Sequence, residues 1–378
     1  MDRLLIKGGR LLSPKNGYLF DKLDILIENC VIKEIGEELE ENNVEKIKLN
    51  GEIVAPGFID IHTHCYKGKS PIGTEADVLG IERGATTIFD AGTSGPLNYM
   101  DFKENVIDKV KTRVFTCLNI SKNGLDTLDE LSNLENIDEE EVLKVVNENR
   151  HNIKAIKVRA SASVVGKNGL KPIAIGKEIA KKAQLPLVVH MGNYPPSASE
   201  VLNLLDKNDI VTHAYHGKKN GLFKEEGTLK DEVIEAKKRG VKFDVGHGSA
   251  SFNIRTFGKA LKNNFIPDFI STDLYHTNMI EPVGSILNVM SKLIAAGLTL
   301  EQCVQKVTSD VSDFFKLKGL GELKEGYKGD FTIFNMKSCD EIAKDSEGNE
   351  QRILEKLELE YVVHTGGNGS GILKFNKK

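Results

Sequence analysis

The chain has 378 residues, 40% of them apolar, and 51 Lys and Arg stand against 55 Asp and Glu for a formal net charge of -4. Single cores stop growing beyond ~250–300 residues, so this length implies one large domain with a smaller companion, and the charge balance excludes the strongly basic surface expected of a nucleic-acid binder. Cys30, Cys65, Cys117, Cys303 and Cys339 are scattered, odd in number and without a C-x-x-C pair, which excludes a disulfide framework and a thiolate zinc site. No signal-like start and no apolar run near the ~20 residues that span a bilayer are seen, so the expectation is a cytoplasmic protein with no membrane partner.

Residues 1–55 read as short strands, with "RLLIKGGRLLS", "DILIEN" and "VIKEIGEE" alternating apolar and polar side chains between Gly, Asn and Asp turns. From residue 57 the rhythm changes to apolar runs separated by helical patterns. The runs are 57–64, 86–92, 113–119, 153–160, 186–192, 209–215, 242–248 and 268–274. Helix candidates between and after them include "DEEEVLKVVNENRH", "AIGKEIAKKAQ", "TLKDEVIEAKKRG" and "GSILNVMSKLIAAG". Strands alternating with helices imply parallel pairing, and eight such units imply an α/β fold built on a (β/α)8 TIM barrel. An open doubly wound sheet is the alternative, but no Gly-x-Gly-x-x-Gly follows the first run. Beyond the last helical pattern, "GDFTIFN" and "LELEYVVHTGG" return to β character. The expected organisation is a small β-sandwich domain from both termini, 1–55 with 321–378, and a catalytic barrel over 56–320.

In such a barrel catalytic groups lie at the C-terminal ends of strands. His62 and His64 end the first run and, by strand alternation, share a face. Lys157, His190, His213 and Asp273 lie near the ends of four other runs. A lysine inside an apolar strand is pushed toward its neutral amine by burial. Paired with a carboxylate, Lys157 would be purely structural. Facing histidines, its neutral amine could add carbon dioxide, and the resulting carbamate could bridge two cations. One divalent ion would then take His62, His64, a carbamate oxygen of Lys157 and Asp273, and the other the second carbamate oxygen, His190 and His213. Imidazole and carboxylate donors suit Zn2+, with iron or manganese as substitutes. A hydroxide between two such ions is a nucleophile at neutral pH, since a metal lowers the pKa of bound water to ~7, and Asp273 is placed to carry its proton to the leaving group.

Together "PGFIDIHTH", the strand lysine, the two later strand-end histidines and "STD" resemble the amidohydrolase superfamily, in its binuclear branch with a carboxylated lysine. "KVRAS", "HMGNYPPS", "THAYHGKKNG", "FDVGHGSASF" and "STDLY" are most similar to its amidohydrolase/deacetylase metallohydrolases, relatives of the dihydroorotases. That resemblance implies a metal-dependent hydrolase that removes an N- or O-acetyl group from a small polar or anionic substrate. A cyclic amidase of dihydroorotase or hydantoinase type, an adenine deaminase and a scaffold without chemistry are the alternatives. Dihydroorotases carry an arginine just after H-x-H, where this chain has Cys65, Tyr66 and Lys67; only Lys67 could substitute in part.

Four further residues are candidates for contact with substrate. Arg159 shares a face with Lys157 and would either hold a substrate carboxylate or lock a neighbouring loop carboxylate. His247 and Ser249 lie in the Gly-rich "DVGHGSASF" at the end of the seventh run, where glycine lets backbone approach a ligand. Tyr66 is a pocket-lining candidate. Asp60, deeper on the face of His62, is expected to support the site from below. The expected partner is a small-molecule substrate, and a homo-oligomer is left open.

Overall fold

Alternation at the amino-terminal end produces strands β1 (Arg3–Ser13), β2 (Tyr18–Glu28), β3 (Val31–Gly36), β4 (Glu45–Lys48) and β5 (Ile53–Pro56). The computed structural model describes residues 3–366 and 371–376, so residues 1–2, 367–370 and 377–378 of the expected terminal domain lie outside the described residues.

The apolar runs of the middle become β6 (Phe58–Thr63), β7 (Ala85–Ala91), β8 (Arg113–Asn119), β9 (Ile153–Ala160), β10 (Leu187–Met191), β11 (Ile210–Thr212) and β12 (Lys242–Phe243). They pair in parallel and in chain order as one seven-stranded sheet, curled into a half-barrel. Every residue of β6 and β7 is buried, the signature of parallel strands covered on both faces. The eighth run, 268–274, forms no strand and makes only the isolated bridges Asp244–Phe269 and Thr63–Leu274. Its polar side chains turn to buried carboxylates: Ser271 Oγ donates to Asp244 at 2.7 Å and Thr272 Oγ1 to Asp60 at 2.5 Å. Asp273 then takes a φ of +52°, outside the extended range a ladder requires. Even so, the run leans on both edges of the sheet. Val245 N donates to Phe269 O at 3.2 Å and Asp273 N to His62 O at 2.8 Å.

After the helices Ile286–Ala295, Leu300–Lys306 and Ser309–Phe315, the chain returns as β13 (Phe331–Lys344), β14 (Glu350–His364) and β15 (Leu373–Asn376). These join the first five strands in a single mixed sheet of order β15-β14-β13-β5-β1-β2-β3, with β4 on β1. Its own core includes Leu4, Ile6, Leu11, Ile25, Val54, Phe331 and Val363. The β13–β14 hairpin is longer than the sequence pattern indicates. Its outer half is exposed and charged, held by contacts such as Arg352 Nε to Asp340 at 2.7 Å. Its tip reaches loops beyond β11 and β12: Ile254 N donates to Asp345 at 2.9 Å, Gly217 N to Glu347 Oε1 at 3.0 Å and Asn253 Nδ2 to Glu347 Oε2 at 2.7 Å. Among the described residues no helix is long and apolar enough to cross a membrane.

Candidate metal centre

His62 and His64 leave the end of β6 on one face, ring centroids 5.5 Å apart. His213 follows β11 with a φ of +64°, and Asp273 has +52°. Non-glycine residues seldom occupy this left-handed region; they persist there where the surroundings over-determine them, often at functional sites. Two glycines provide that confinement. A Cβ on Gly246 would lie 2.8 Å from His213 Nδ1, and one on Gly248 would collide with Asp273 Oδ2.

The three histidines are oriented alike. His62 Nδ1 bonds Thr212 Oγ1 at 2.9 Å, and that hydroxyl donates to Asp244 Oδ2 at 2.7 Å. His64 Nδ1 meets Thr93 Oγ1 at 3.0 Å, and His213 Nδ1 meets the Gly246 carbonyl at 2.6 Å. A carbonyl only accepts, and the Thr212 proton is committed to Asp244. The Nδ1 atoms of His62 and His213 are therefore the protonated ones, leaving the lone pair on Nε2. These Nε2 atoms converge on one carboxylate. His64 and His62 lie 3.1 and 3.5 Å from Asp273 Oδ1, and His213 lies 4.0 Å from Oδ2. His213 Nε2 is buried and has no hydrogen-bond partner among the described residues. Donor atoms of His62, His213 and Asp273 all fall within 4.8 Å of one another. The inward lone pairs of His62 and His213 facing a carboxylate repel it unless a cation stands between them, and a nitrogen and oxygen donor set of this kind fits a divalent metal.

Burial lowers the pKa of His62 well below its ordinary value and that of His213 to about 3, so both are neutral imidazoles. Lys157 is 1% exposed with Nζ 3.3 Å from His62 Nε2, and burial lowers its pKa to about 8. Burial opposes ionisation of Asp273, but the His64 hydrogen bond, with the charge of Lys157, holds its carboxyl below the usual range. His190, on β10, stands edge-on to His213 with centroids 4.3 Å apart. Below the group, Asp60 accepts from the backbone of His62 at 3.2 Å and of Thr272 at 3.1 Å.

The structure thus brings His62, His64, Lys157, His190, His213 and Asp273 together. Other candidates point elsewhere. Tyr66 does not face the group, because its hydroxyl is captured by Asp101 and its ring packs on Phe102. His247 stacks on Phe252 and turns its Nε2 to Lys292 at 3.3 Å, beneath the hairpin tip, rather than to a substrate. Arg159 Nη1 donates to Glu130 Oε2 at 2.9 Å, and Glu130 is 1% exposed; the guanidinium takes the neighbouring carboxylate of the two partners considered for it. Ser249 lies at the margin, bonded at 2.8 Å to the hydroxyl of Tyr275, whose ring is edge-on to His64. Lys67 pairs with Glu75 at 2.6 Å on the surface, so it does not supply the missing arginine. Thr212 and Asp244, which orient His62, were not legible as site residues. The available signal was an acid within the apolar run "KFDVGHG"; Asp244 is 1% exposed and burial raises its pKa to about 6.

Known proteins are similar to this chain over most or all of its length. A deacetylase of Brucella anthropi is 34% identical across 90% of this chain and 86% of its own. Solved structures of an adenine deaminase (32% identity, TM-score 0.91, 99% of each chain) and of a dihydroorotase (30% identity, TM-score 0.91, 100% of this chain and 98% of that one) have the same fold. Residues 53–360 match the model of the amidohydrolase family, and the chain belongs to that family.

Proposed function

We propose that this chain removes an acetyl group from a small polar or anionic compound by metal-assisted hydrolysis. Family membership makes it a hydrolase, and the observation that carries the finer assignment is the buried Nε2 of His213, without a hydrogen-bond partner among the described residues and aimed with those of His62 and His64 at Asp273. His62, His64, Lys157, His190, His213 and Asp273 would hold two divalent ions, Zn2+ by donor type, with Lys157 as its carbamate. Bound there, the metals would supply Lewis acidity toward the scissile carbonyl and acidify water. The chain's own work is then positional and protonic. Thr212, Thr93 and the Gly246 carbonyl fix the imidazoles. The Asp273 carboxylate takes the proton of the attacking water and returns it to the leaving oxygen or nitrogen.

Acetyl transfer to water is favoured over opening of a cyclic amide by positions 65–67, which present no cation to the site: Cys65 is buried against Asp90, and Lys67 pairs with Glu75. The free state of all five cysteines also fits a reducing, cytoplasmic setting for such an enzyme. We further propose that 268–274 closes the barrel as an eighth element between β12 and β6, supported by its bonds to both edges. The eight-stranded sheet, folded over its own core, would be the sandwich of 1–55 with 321–378. The test is acetate release from a panel of N- and O-acetylated acids, beside dihydroorotate hydrolysis and adenine deamination under the same conditions. Turnover of the acetyl compounds alone is expected; turnover of dihydroorotate or adenine in their place would overturn the assignment.

A further inference from the structure

The cations around the metal centre are mostly committed. Lys157 lies within the histidine group, Arg159 is taken by Glu130 and Lys67 by Glu75. Lys218 differs. It stands five residues beyond His213, on the loop after β11, and its charge is close enough to act on Asp273, His190, His213 and His216. It is half-buried, yet among the described residues its ammonium has no hydrogen bond or ion pair. A partly desolvated, unpaired ammonium is costly unless something neutralises it.

The loop that presents Lys218 is fixed on both sides. Lys218 N donates to His216 Nδ1 at 3.0 Å, Gly217 N donates to Glu347 Oε1 at 3.0 Å, and Asn220 O accepts from Ala198 N at 3.2 Å. Glu347, the carboxylate whose charge acts most on Lys218, makes no direct contact with its ammonium among the described residues and is held elsewhere. Its Oε1 accepts from Gly217 N at 3.0 Å and its Oε2 from Asn253 Nδ2 at 2.7 Å. The hairpin tip therefore anchors the loop while leaving the ammonium unpaired, so little ordering is left to be done when a ligand arrives. A single ammonium matches a monoanion better than a dianion, which would draw more than one cation.

We propose that Lys218 is the residue that holds a carboxylate of the substrate beside the metal centre. This rests on the acyl-hydrolase assignment above, and the experiment separates the two. Acetylated acids and their primary carboxamides are assayed as matched pairs with wild type, Lys218→Met and Lys218→Arg. Charge-assisted hydrogen bonds set the scale at about 10- to 100-fold. Wild type is expected to favour each acid over its amide by that factor in kcat/KM, Lys218→Met to bring the ratio near one, and Lys218→Arg to restore most of it. A wild type without preference, or a ratio that survives in Lys218→Met, would overturn the role of Lys218. If wild type releases acetate from neither member of any pair, the acyl-hydrolase assignment fails by itself. Calorimetric titration with the same acids then decides: binding at least 10-fold weaker in Lys218→Met upholds Lys218, whereas equal binding, or none, refutes it.

Discussion

Two buried charged clusters sit at opposite ends of the parallel sheet, and they are built to opposite rules. At the junction with the mixed sheet, Asp330 is saturated. It receives Arg113 Nη1 at 2.5 Å, His364 Nδ1 at 3.2 Å, and the backbone and hydroxyl of Thr365 at 2.8 and 2.7 Å. His364 spends its other nitrogen on Lys111 O at 2.9 Å. At the catalytic end, by contrast, the inward lone pairs of His62 and His213 face a carboxylate, and His213 Nε2 has no partner among the described residues. A closed network of this kind stabilises a fold; an open one waits for a ligand. The difference lies not in burial or residue type, since both clusters use histidine and aspartate, but in whether each donor has met an acceptor.

Breaking each cluster should therefore have opposite consequences. Asp273→Asn should lower kcat by about 10²- to 10⁴-fold, the range for a lost acid–base group, with thermal unfolding close to wild type; near-normal turnover would remove Asp273 as proton carrier. Asp330→Asn should do the reverse. Leaving the largely buried Arg113 without its counter-charge costs up to about 3 kcal/mol, read as a lower midpoint in denaturant, with activity kept at low temperature. A wild-type midpoint would show that the junction cluster is not structural. Its pH dependence sharpens the contrast. Burial works to raise the Asp330 pKa, but Arg113, His364 and Thr365 outweigh it and hold the carboxyl well below the usual range. A depressed native pKa contributes stability above the unfolded value of ~3.9 and loses it as pH falls below. The gap between wild type and Asp330→Asn should thus be full at neutral pH and narrow below about pH 4. The smallest of these effects is at Gly248→Ala, where a methyl would push Asp273 Oδ2 aside. A displacement near 1 Å costs about 10²-fold in rate, with less change in stability than at Asp330; unaffected activity would mean that the carboxylate is free to move.

The same contrast explains what the sequence disclosed. Runs 113–119 and 153–160 match β8 and β9 to the residue, because strands largely buried on both faces are mostly apolar and stand out from the helical patterns around them. The group at the catalytic end was legible because strand ends project their residues to one rim, a regularity of the fold rather than of local sequence. The junction cluster was not legible. Arg113, Asp330 and His364 are far apart in the chain and carry no spacing signal, and His364 invited no assignment. Residues 268–274 read as a strand from their apolar positions, while Ser271, Thr272 and Asp273 were already committed to carboxylates and to the site. The hairpin beyond Asn335 escaped notice because charged side chains on an exposed ribbon lack a buried face to set a period. Lys218, in "HGKKNG", looks like any solvated lysine; only the fold shows which carboxylates it lacks.

The most direct test of the open cluster is metal stoichiometry by elemental analysis, on wild type and Lys157→Ala produced with added zinc and bicarbonate. A bridging Lys157 predicts about two metals per chain in wild type, a clear loss in the variant, and partial recovery with added short carboxylic acids. Wild-type metal content in Lys157→Ala, or about one metal in wild type, would contradict the binuclear centre and leave Lys157 as a structural residue.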